Sequence, residues 1–341
     1  MRGGGTMGKE AYKDIWVFAE QEGGRLSSTT FELLAKSHDL KQKLGGDDAV
    51  VAVLLGSGVE ALAAELFAYG AEKVILAEHE ALAQYSARPY EKALVQLCEK
   101  HKPSVFLFAA SAQGRDVAPR VMCSLRTGLT ADAIDLDVDE EGTFVQTTPN
   151  FGGNILIHIA IPEKRPQMVT VHPRVFEPLE PKPGAQGELI RESVEVEPDA
   201  DYVVVESRKK QSDGKPIDEC DALVAGGRGI KSEEDLAQLR RLAELLGGEL
   251  ACSRPLCDCG WMPHEEQIGQ SGTTVKPKFI LNVAISGSVQ YLAGMQNAGC
   301  IMSINHTASA PIYDVSHYGA VADYRRLIPE IIAEIERRKA K

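Results

Sequence analysis

The stretch "CSRPLCDCGWMPHEEQIGQSG" opens at Cys252 and holds three thiols, Cys252, Cys257 and Cys259, with His264, Glu265 and Glu266 close behind. Thiols, an imidazole and carboxylates at short range could ligate a metal or form a redox pair. Zinc and iron–sulfur sites with four ligands are usually assembled from spaced pairs. Cys252-x4-Cys257-x-Cys259 has no matching pair nearby, and its spacing to His264 fits no common site. No metal is therefore expected. The thiols read as bystanders, with a disulfide-forming or regulatory role left open. The residues between and beyond them offer a second chemistry. Arg254 is a permanent cation. Gln267, Gln270 and Ser271 supply several donors and acceptors within five residues, and Gly269 and Gly272 permit close approach. Such a rim suits a flat heterocycle, and the nearby cation would stabilise a reduced, anionic ring.

Two glycine-bearing turns add to this. In "VAGGRGIKS" (224–232) a strand pattern ends in Gly226-Gly227-Arg228-Gly229 and a helix begins after Ser232. Glycines let a ligand approach the backbone, a helix start presents free N–H groups to an anion, and Arg228 adds a charged fork. The pattern is neither GxGxxG nor GxxxxGK[ST], and a plain strand-to-helix turn explains it equally well. "AISGSVQYLAG" (284–294) repeats the arrangement at Ser286-Gly287-Ser288. Two such turns in one parallel sheet point at its C-terminal edge, where open α/β sheets bind ligands. Together they favour a phosphate-bearing ligand. Asn305 and Asp323 fall at or just past strand ends in "SINHTASAPIYDVSHYGAVADY" (303–324). They suit a ribose or adenine edge, or equally a turn residue and a helix N-cap.

These residues need a scaffold, and the hydrophobic pattern describes one. Apolar runs at 14–20, 49–56, 73–78 and 104–110 read as strands; 29–45, 57–70 and 86–101 read as helices. That alternation means βαβ units and a parallel sheet. From 132 to 173 helical period is lost. Antiparallel strands are expected there, with turns at Glu141-Gly142 and Phe151-Gly152-Gly153. Pro173, Pro178, Pro181 and Pro183 make 172–188 an extended crossing segment. Strand patterns return at 189–197 and 202–207. The polar stretch from 208 separates a second βαβ region with strands at 221–227, 249–253, 278–286 and 300–305 and helices at 232–247, 288–299 and 323–341. Ser232 is the expected N-cap of the first of these helices and Gly247 its stop. The fold class is α/β in two domains with mainly parallel sheets: a disordered extension (1–11), an N-terminal domain (12–207), a hinge (208–220) and a C-terminal domain (221–341).

Composition sets outer limits. The chain has 341 residues, 44 % apolar and 25 % charged, with net charge −12. That balance is ordinary for a globular protein, and the acidic excess argues against a nucleic-acid surface. No apolar run approaches the ~20 residues of a membrane span, and "MRGGGTMGKEAYKD" lacks a signal-peptide core. Seven cysteines without such a signal read as reduced thiols in a cytoplasmic protein.

Taken together, "GGRGIKSEEDL", "CSRP…GWMPHEEQIGQSG" with "KFILNVAISGSVQYLAGM", and "INHTASAPIYDV" strongly resemble the FAD-binding domain of electron-transfer flavoprotein alpha subunits. "QGRDVAPRVMCSLRTGLTADAIDLDVD" and "PEKRPQMVTVHPRVF" resemble that family's first domain, so the likeness runs from about 12 to 335. It implies an obligate heterodimer with a beta subunit, in which the alpha N-terminal domain is a base and the C-terminal domain a mobile FAD-holding head. By position, Arg228, Ser253 and Arg254 would contact FAD, with Arg254 over the isoalloxazine. Gln267, Ile268, Gly269, Gln270, Ser271, Gly272 and Thr273 would form the rim, the Ser271 hydroxyl reaching flavin N5. Ser286, Gly287, Ser288 and Gln290 would serve the pyrophosphate and ribityl chain, and Asn305, Asp323 and Tyr324 the adenosine end. No residue would act as general acid, base or nucleophile, because the flavin carries the redox chemistry.

Three departures stand out. Tyr291 occupies the place of a histidine near flavin O2, so an anionic semiquinone would be less persistent. Thr148, in "TTPNFGGN", stands where many members have an arginine. "VHPRVF" replaces the frequent "VRPGVF". The resemblance implies an electron carrier between dehydrogenases, such as acyl-CoA dehydrogenases, and a further acceptor. One branch holds AMP in the beta subunit and shuttles single electrons. The other holds a second FAD there, oxidises NADH and bifurcates electrons to ferredoxin or flavodoxin, and "FGGN" and "CSRP" lean towards it. A second class of reading, an NAD- or nucleotide-binding enzyme or sensor on the same head, stays open because deoxyhypusine-synthase-like domains share that fold.

Overall fold

The computed structural model describes residues 11–150, 155–200 and 215–339. They form two compact units, one up to Val205 and one from Glu206 onwards. Of the expected linker, 208–214 lie outside the described residues, as do the expected turn at 151–153 and strand at 202–207. Residues 215–220 belong to the second unit, where Ile217 and Cys220 are buried in its core.

The first unit is built on a fully parallel seven-stranded sheet. Its strands are β1 (Lys13–Phe18), β4 (Val50–Gly56), β5 (Lys73–Glu78), β6 (Pro103–Ala109), β7 (Gly128–Ala133), β11 (Gln167–Val171) and β12 (Glu188–Glu192), in the order β12-β5-β4-β1-β6-β11-β7. Every residue of β4 is buried, as a strand covered on both faces requires. The helices α1 (Ser28–Leu44), α2 (Ala63–Ala68), α3 (Ala87–His101) and α4 (Ala112–Leu125) supply that cover, and one apolar cluster lies on each face. The helix α1 ends where Gly45 turns left-handed at φ 66° and returns its N–H to Lys41 O. A short hairpin of β2 (Gln21–Glu22) and β3 (Arg25–Leu26) follows β1. The proline-bearing segment from 172 carries the chain from β11, near one edge of the sheet, to β12 at the other, so it is a crossing segment.

Three expectations need correcting here. Within the region 132–173, the described antiparallel strands are β8 (Asp135–Val138), β9 (Phe144–Asn150) and β10 (Ile155–Ala160), in a small separate sheet. The strand β11, inside the supposed antiparallel region, joins the main sheet in parallel, as does β7, which ends where that region begins. Every residue of β11 is buried, so both of its faces are covered. The expected helix at 57–70 is shorter, a 3₁₀ turn (Glu60–Leu62) followed by α2, because Gly58 takes φ 69° just before it. The helix α4 was not expected at all.

The second unit is a six-stranded parallel sheet, β15-β14-β13-β16-β17-β18, comprising β13 (Ala222–Gly226), β14 (Glu249–Ser253), β15 (Gln267–Ile268), β16 (Phe279–Val283), β17 (Cys300–Asn305) and β18 (Tyr318–Val321). The helices α5 (Glu233–Leu245) and α8 (Tyr324–Lys339) pack beside each other on one face. The shorter helices are α6 (Arg254–Asp258) and α7 (Val289–Leu292). The helix expected over 288–299 is thus only α7, one turn long. Gly294 then lies against the backbone of Gly269, where a Cβ would come within 2.5 Å of Gly269 N. That contact makes 293–299 a packed turn rather than helix. Among the described residues no helix is long and apolar enough to cross a membrane.

Candidate functional site

Two cavities lie along the C-terminal edge of the second sheet. The larger, about 460 Å³, is lined by the ends of β13, β14 and β16, the start of α6, and the loops after β15 and before α7. Thirteen of its lining residues... belong to the sequence-derived set: Arg228, Ser253, Arg254, the run Gln267–Ser271, Ser286, Gly287, Ser288, Gln290 and Tyr291. Pro255, Asp258 and Ile285 complete it and were not anticipated. Gly272 and Thr273 lie outside the lining; their N–H groups close the loop onto Gly269 O and Gln267 O at 3.0 and 2.7 Å. The smaller cavity, about 310 Å³, brings together Asn305, Asp323 and Tyr324 with the unanticipated Gly229, Lys231, His306 and Arg325.

The turns that hold the larger cavity lock one another. Gly227 N–H bonds Val283 O at 2.9 Å, and Gly229 N–H reaches Ala284 O at 3.3 Å. A Cβ at Gly227 would sit 2.3 Å from Ala284 O. This glycine is therefore required by the neighbouring turn, whatever binds. Gln270 N–H bonds Gln290 O at 2.8 Å, fixing the rim loop to the turn before α7.

Both helix starts carry internal caps. The Ser232 hydroxyl accepts from Asp235 N, and the first turn of α5 carries Glu233, Glu234 and Asp235. Three carboxylates there already complement the helix dipole, so an external anion is disfavoured at that end. The Ser288 hydroxyl accepts from Tyr291 N at 3.4 Å. In the larger cavity, positive charge for an anionic ligand comes from Arg228 and Arg254. Arg228 is exposed and makes no ion pair among the described residues. Among the described residues Arg254 pairs only with Asp258, at 3.5 Å and with both side chains more than half exposed. A pair so exposed is worth ~0–1 kcal/mol, so Arg254 can turn to a ligand at little cost.

The polar side chains divide into occupied and available. The Gln267 amide donates to Ser271 Oγ at 3.1 Å, while its Oε1 is buried without a hydrogen-bond partner among the described residues. A buried unpaired acceptor is costly unless something donates to it. Tyr291 is otherwise engaged. Its hydroxyl donates to Asn282 Oδ1 at 2.6 Å, and full burial holds it well above the usual tyrosine range. Asn305 donates to Ile285 O at 2.8 Å and accepts from Thr307 N at 2.9 Å, so it organises the turn after β17. Asp323 accepts from Arg325 N at 3.0 Å and caps α8. In the opening stretch, Cys252 is buried at the end of β14, Cys259 is exposed, and His264 belongs to a short 3₁₀ turn. Among the described residues no group of three or more His, Cys, Asp or Glu is placed to hold a metal ion.

An open parallel α/β sheet with an arginine-bearing cleft at its C-terminal edge defines a nucleotide-type cofactor-binding protein. Comparison with known proteins makes this specific. Residues 15–197 match the electron transfer flavoprotein domain, and 216–296 match the electron transfer flavoprotein FAD-binding domain. The electron transfer flavoprotein alpha subunit of Thermoanaerobacterium thermosaccharolyticum is 40 % identical over 96 % of this chain and 99 % of its own length. That of Megasphaera elsdenii is 43 % identical over 96 % and 98 %. The LctC subunit of the lactate dehydrogenase (NAD(+),ferredoxin) of Acetobacterium woodii is 38 % identical over 96 % of this chain and 78 % of that subunit. The chain belongs to the electron transfer flavoprotein alpha-subunit family. It is an electron-transfer flavoprotein alpha subunit with a flavin-binding second unit, and its family implies a beta-subunit partner.

Proposed function

We propose that FAD lies along the C-terminal edge of the second sheet, its ring in the larger cavity and its adenosine end in the smaller one. One observation carries this reading. Consecutive residues line different cavities: Arg228 and Ile285 the larger, Gly229 and Ala284 the smaller. A ligand crossing that pair of turns meets both cavities, and an extended dinucleotide has the length to do so. The chemistry of the lining agrees. Gln267 Oε1 offers a buried acceptor to an imide N–H such as that of a flavin ring. Arg254 supplies a cation beside it, and Ser271 a hydroxyl. Bound there, FAD would supply the redox chemistry, while the chain binds it, orients it and sets its electrostatics.

On this reading the first unit forms the base against the beta subunit and the second the FAD-holding head, and residues 215–220, expected as part of the hinge, belong to that head. The two family matches, which end and resume at 197 and 216, support that division. The protein works in the cytoplasm and passes electrons between a dehydrogenase of the acyl-CoA class and NADH with ferredoxin, by bifurcation through a second FAD in the beta subunit. The likeness to a subunit of a dehydrogenase named for NAD(+) and ferredoxin supports the bifurcating branch. The visible spectrum of the co-purified heterodimer tests this. Flavin bands from a second FAD, bleached by NADH, are expected. A single FAD indifferent to NADH would leave the shuttle branch, and a colourless protein that binds NAD would overturn the flavin reading.

A further inference from the structure

We propose that Cys252 and Cys257 form a thiol–disulfide couple that closes the segment carrying Ser253 and Arg254, giving that side of the cavity an open and a ring-closed state. Their sulfurs lie 3.3 Å apart. Cys252 lies in the buried run of β14, next to its last residue Ser253, and α6 starts immediately after the strand, so the chain folds back and brings Cys257 over it. A disulfide needs S–S near 2.05 Å, so the sulfurs must approach by a little over ~1 Å. The strand cannot give, being paired with β13 on one side and β15 on the other. The one-turn helix α6 can. Only Leu256 among its residues is buried.

The two thiols differ in a way that orders the reaction. Cys257 is partly exposed and Cys252 is buried. The Cys257 thiolate attacks a low-molecular-weight disulfide, RSSR, forming a mixed disulfide and releasing one RS⁻. Cys252 then loses its proton and displaces the second RS⁻, forming the Cys252–Cys257 bond. The two thiols lose two protons and two electrons in total, and RSSR becomes two RSH. Burial, with Asp258, Glu266 and Glu265 nearby, keeps the Cys257 thiol above the usual cysteine range, so little thiolate is present and its attack is slow. Cys259, exposed and two residues further on, serves as an internal control.

The test uses the heterodimer treated with excess oxidised glutathione, then thiol titration and peptide mass mapping. The wild type and C259A should each link the Cys252 and Cys257 peptides with loss of two hydrogens, reversibly with dithiothreitol. C252A should stop at a glutathione adduct on Cys257. A folded wild type that stops at that adduct, or keeps both thiols free, would overturn the couple. Formation of the bond does not depend on where FAD sits; its effect on FAD rests on the flavin reading. Ring closure pre-organises Ser253 and Arg254, so the FAD dissociation constant should fall about threefold or more in the oxidised heterodimer. An unchanged constant with the bond formed would overturn that coupling alone.

Discussion

At the residue scale, Tyr291 shows how far a position differs from its surroundings. In the sequence it stands where the family resemblance puts a histidine beside the flavin, which implies a neutral donor to the ring. In the fold its only O–H is committed to Asn282, and the chain of bonds continues from Asn282 Nδ2 to Ser303 Oγ at 3.2 Å and on to Ser316 Oγ at 2.7 Å. Tyr291 is thus a peg between the cavity wall and a buried polar network. Y291F should cost about 1–3 kcal/mol of stability, because Asn282 Oδ1 is left buried and unpaired. FAD affinity and the flavin midpoint potential should stay near their wild-type values. Urea unfolding and a redox titration of the same sample check both, and a shifted potential with unchanged stability would contradict the assignment. The larger cavity was legible because its contacts sit in short polar motifs. Pro255 and Ile285 were not, since an apolar wall carries no distinctive chemistry. The role of Tyr291 was hidden because it depends on Asn282, which reads in sequence as one more strand residue.

At the element scale, the strands were legible wherever an apolar run is continuous, as in β4 and β16. The helix α4 escaped because Gly114 and Pro119 interrupt "AQGRDVAPRVMCSL", yet Ser111 Oγ caps its start by accepting from Gly114 N at 2.9 Å. Pairing direction was illegible in β11, since parallel and antiparallel strands look alike when both faces are covered. The turn before α7 shows what such elements do for the site. Gly287 has φ 85°, and a Cβ there would lie 2.4 Å from Ile312 N. Ile312 belongs to a 3₁₀ segment (Pro311–Val315) whose Tyr313 hydroxyl accepts from Asn305 N at 3.0 Å. One glycine therefore joins the wall of the larger cavity to the organiser of the smaller. G287A must distort that junction, at a cost of about 1–3 kcal/mol for the backbone conformation alone. FAD affinity should drop about tenfold or more, the equivalent of ~1.4 kcal/mol. Fluorescence titration of FAD into the variant measures it, and unchanged affinity would place the ligand away from this turn.

At the scale of the whole molecule, each unit has its own sheet and its own pair of apolar clusters, and every proposed FAD contact lies in the second. Units built this way should respond to different ligands and different protons. FAD at about 100 times its dissociation constant stabilises the form that binds it by ~2.7 kcal/mol, and that gain should appear in the thermal transition of the second unit. The first unit has a separate handle in Glu32, a buried carboxylate on α1 that accepts from Arg174 N at 2.7 Å and from Phe176 N at 3.4 Å. Desolvation by burial raises its pKa to about 7, above the ordinary 4.5, although those two N–H groups oppose the shift. The folded state therefore holds this proton more tightly than the unfolded chain. The stabilisation is complete below about pH 4.5 and is lost as pH rises to about 7. E32Q keeps the acceptor and removes the charge. Relative to wild type it should be near neutral at pH 5 and more stable by about 2–3 kcal/mol at pH 8, as a shift of two pKa units or so requires. Calorimetry of the chain at both pH values, with and without FAD, separates the effects. E32Q should move one transition and FAD the other; a single transition moved by both would mean that the two units unfold as one.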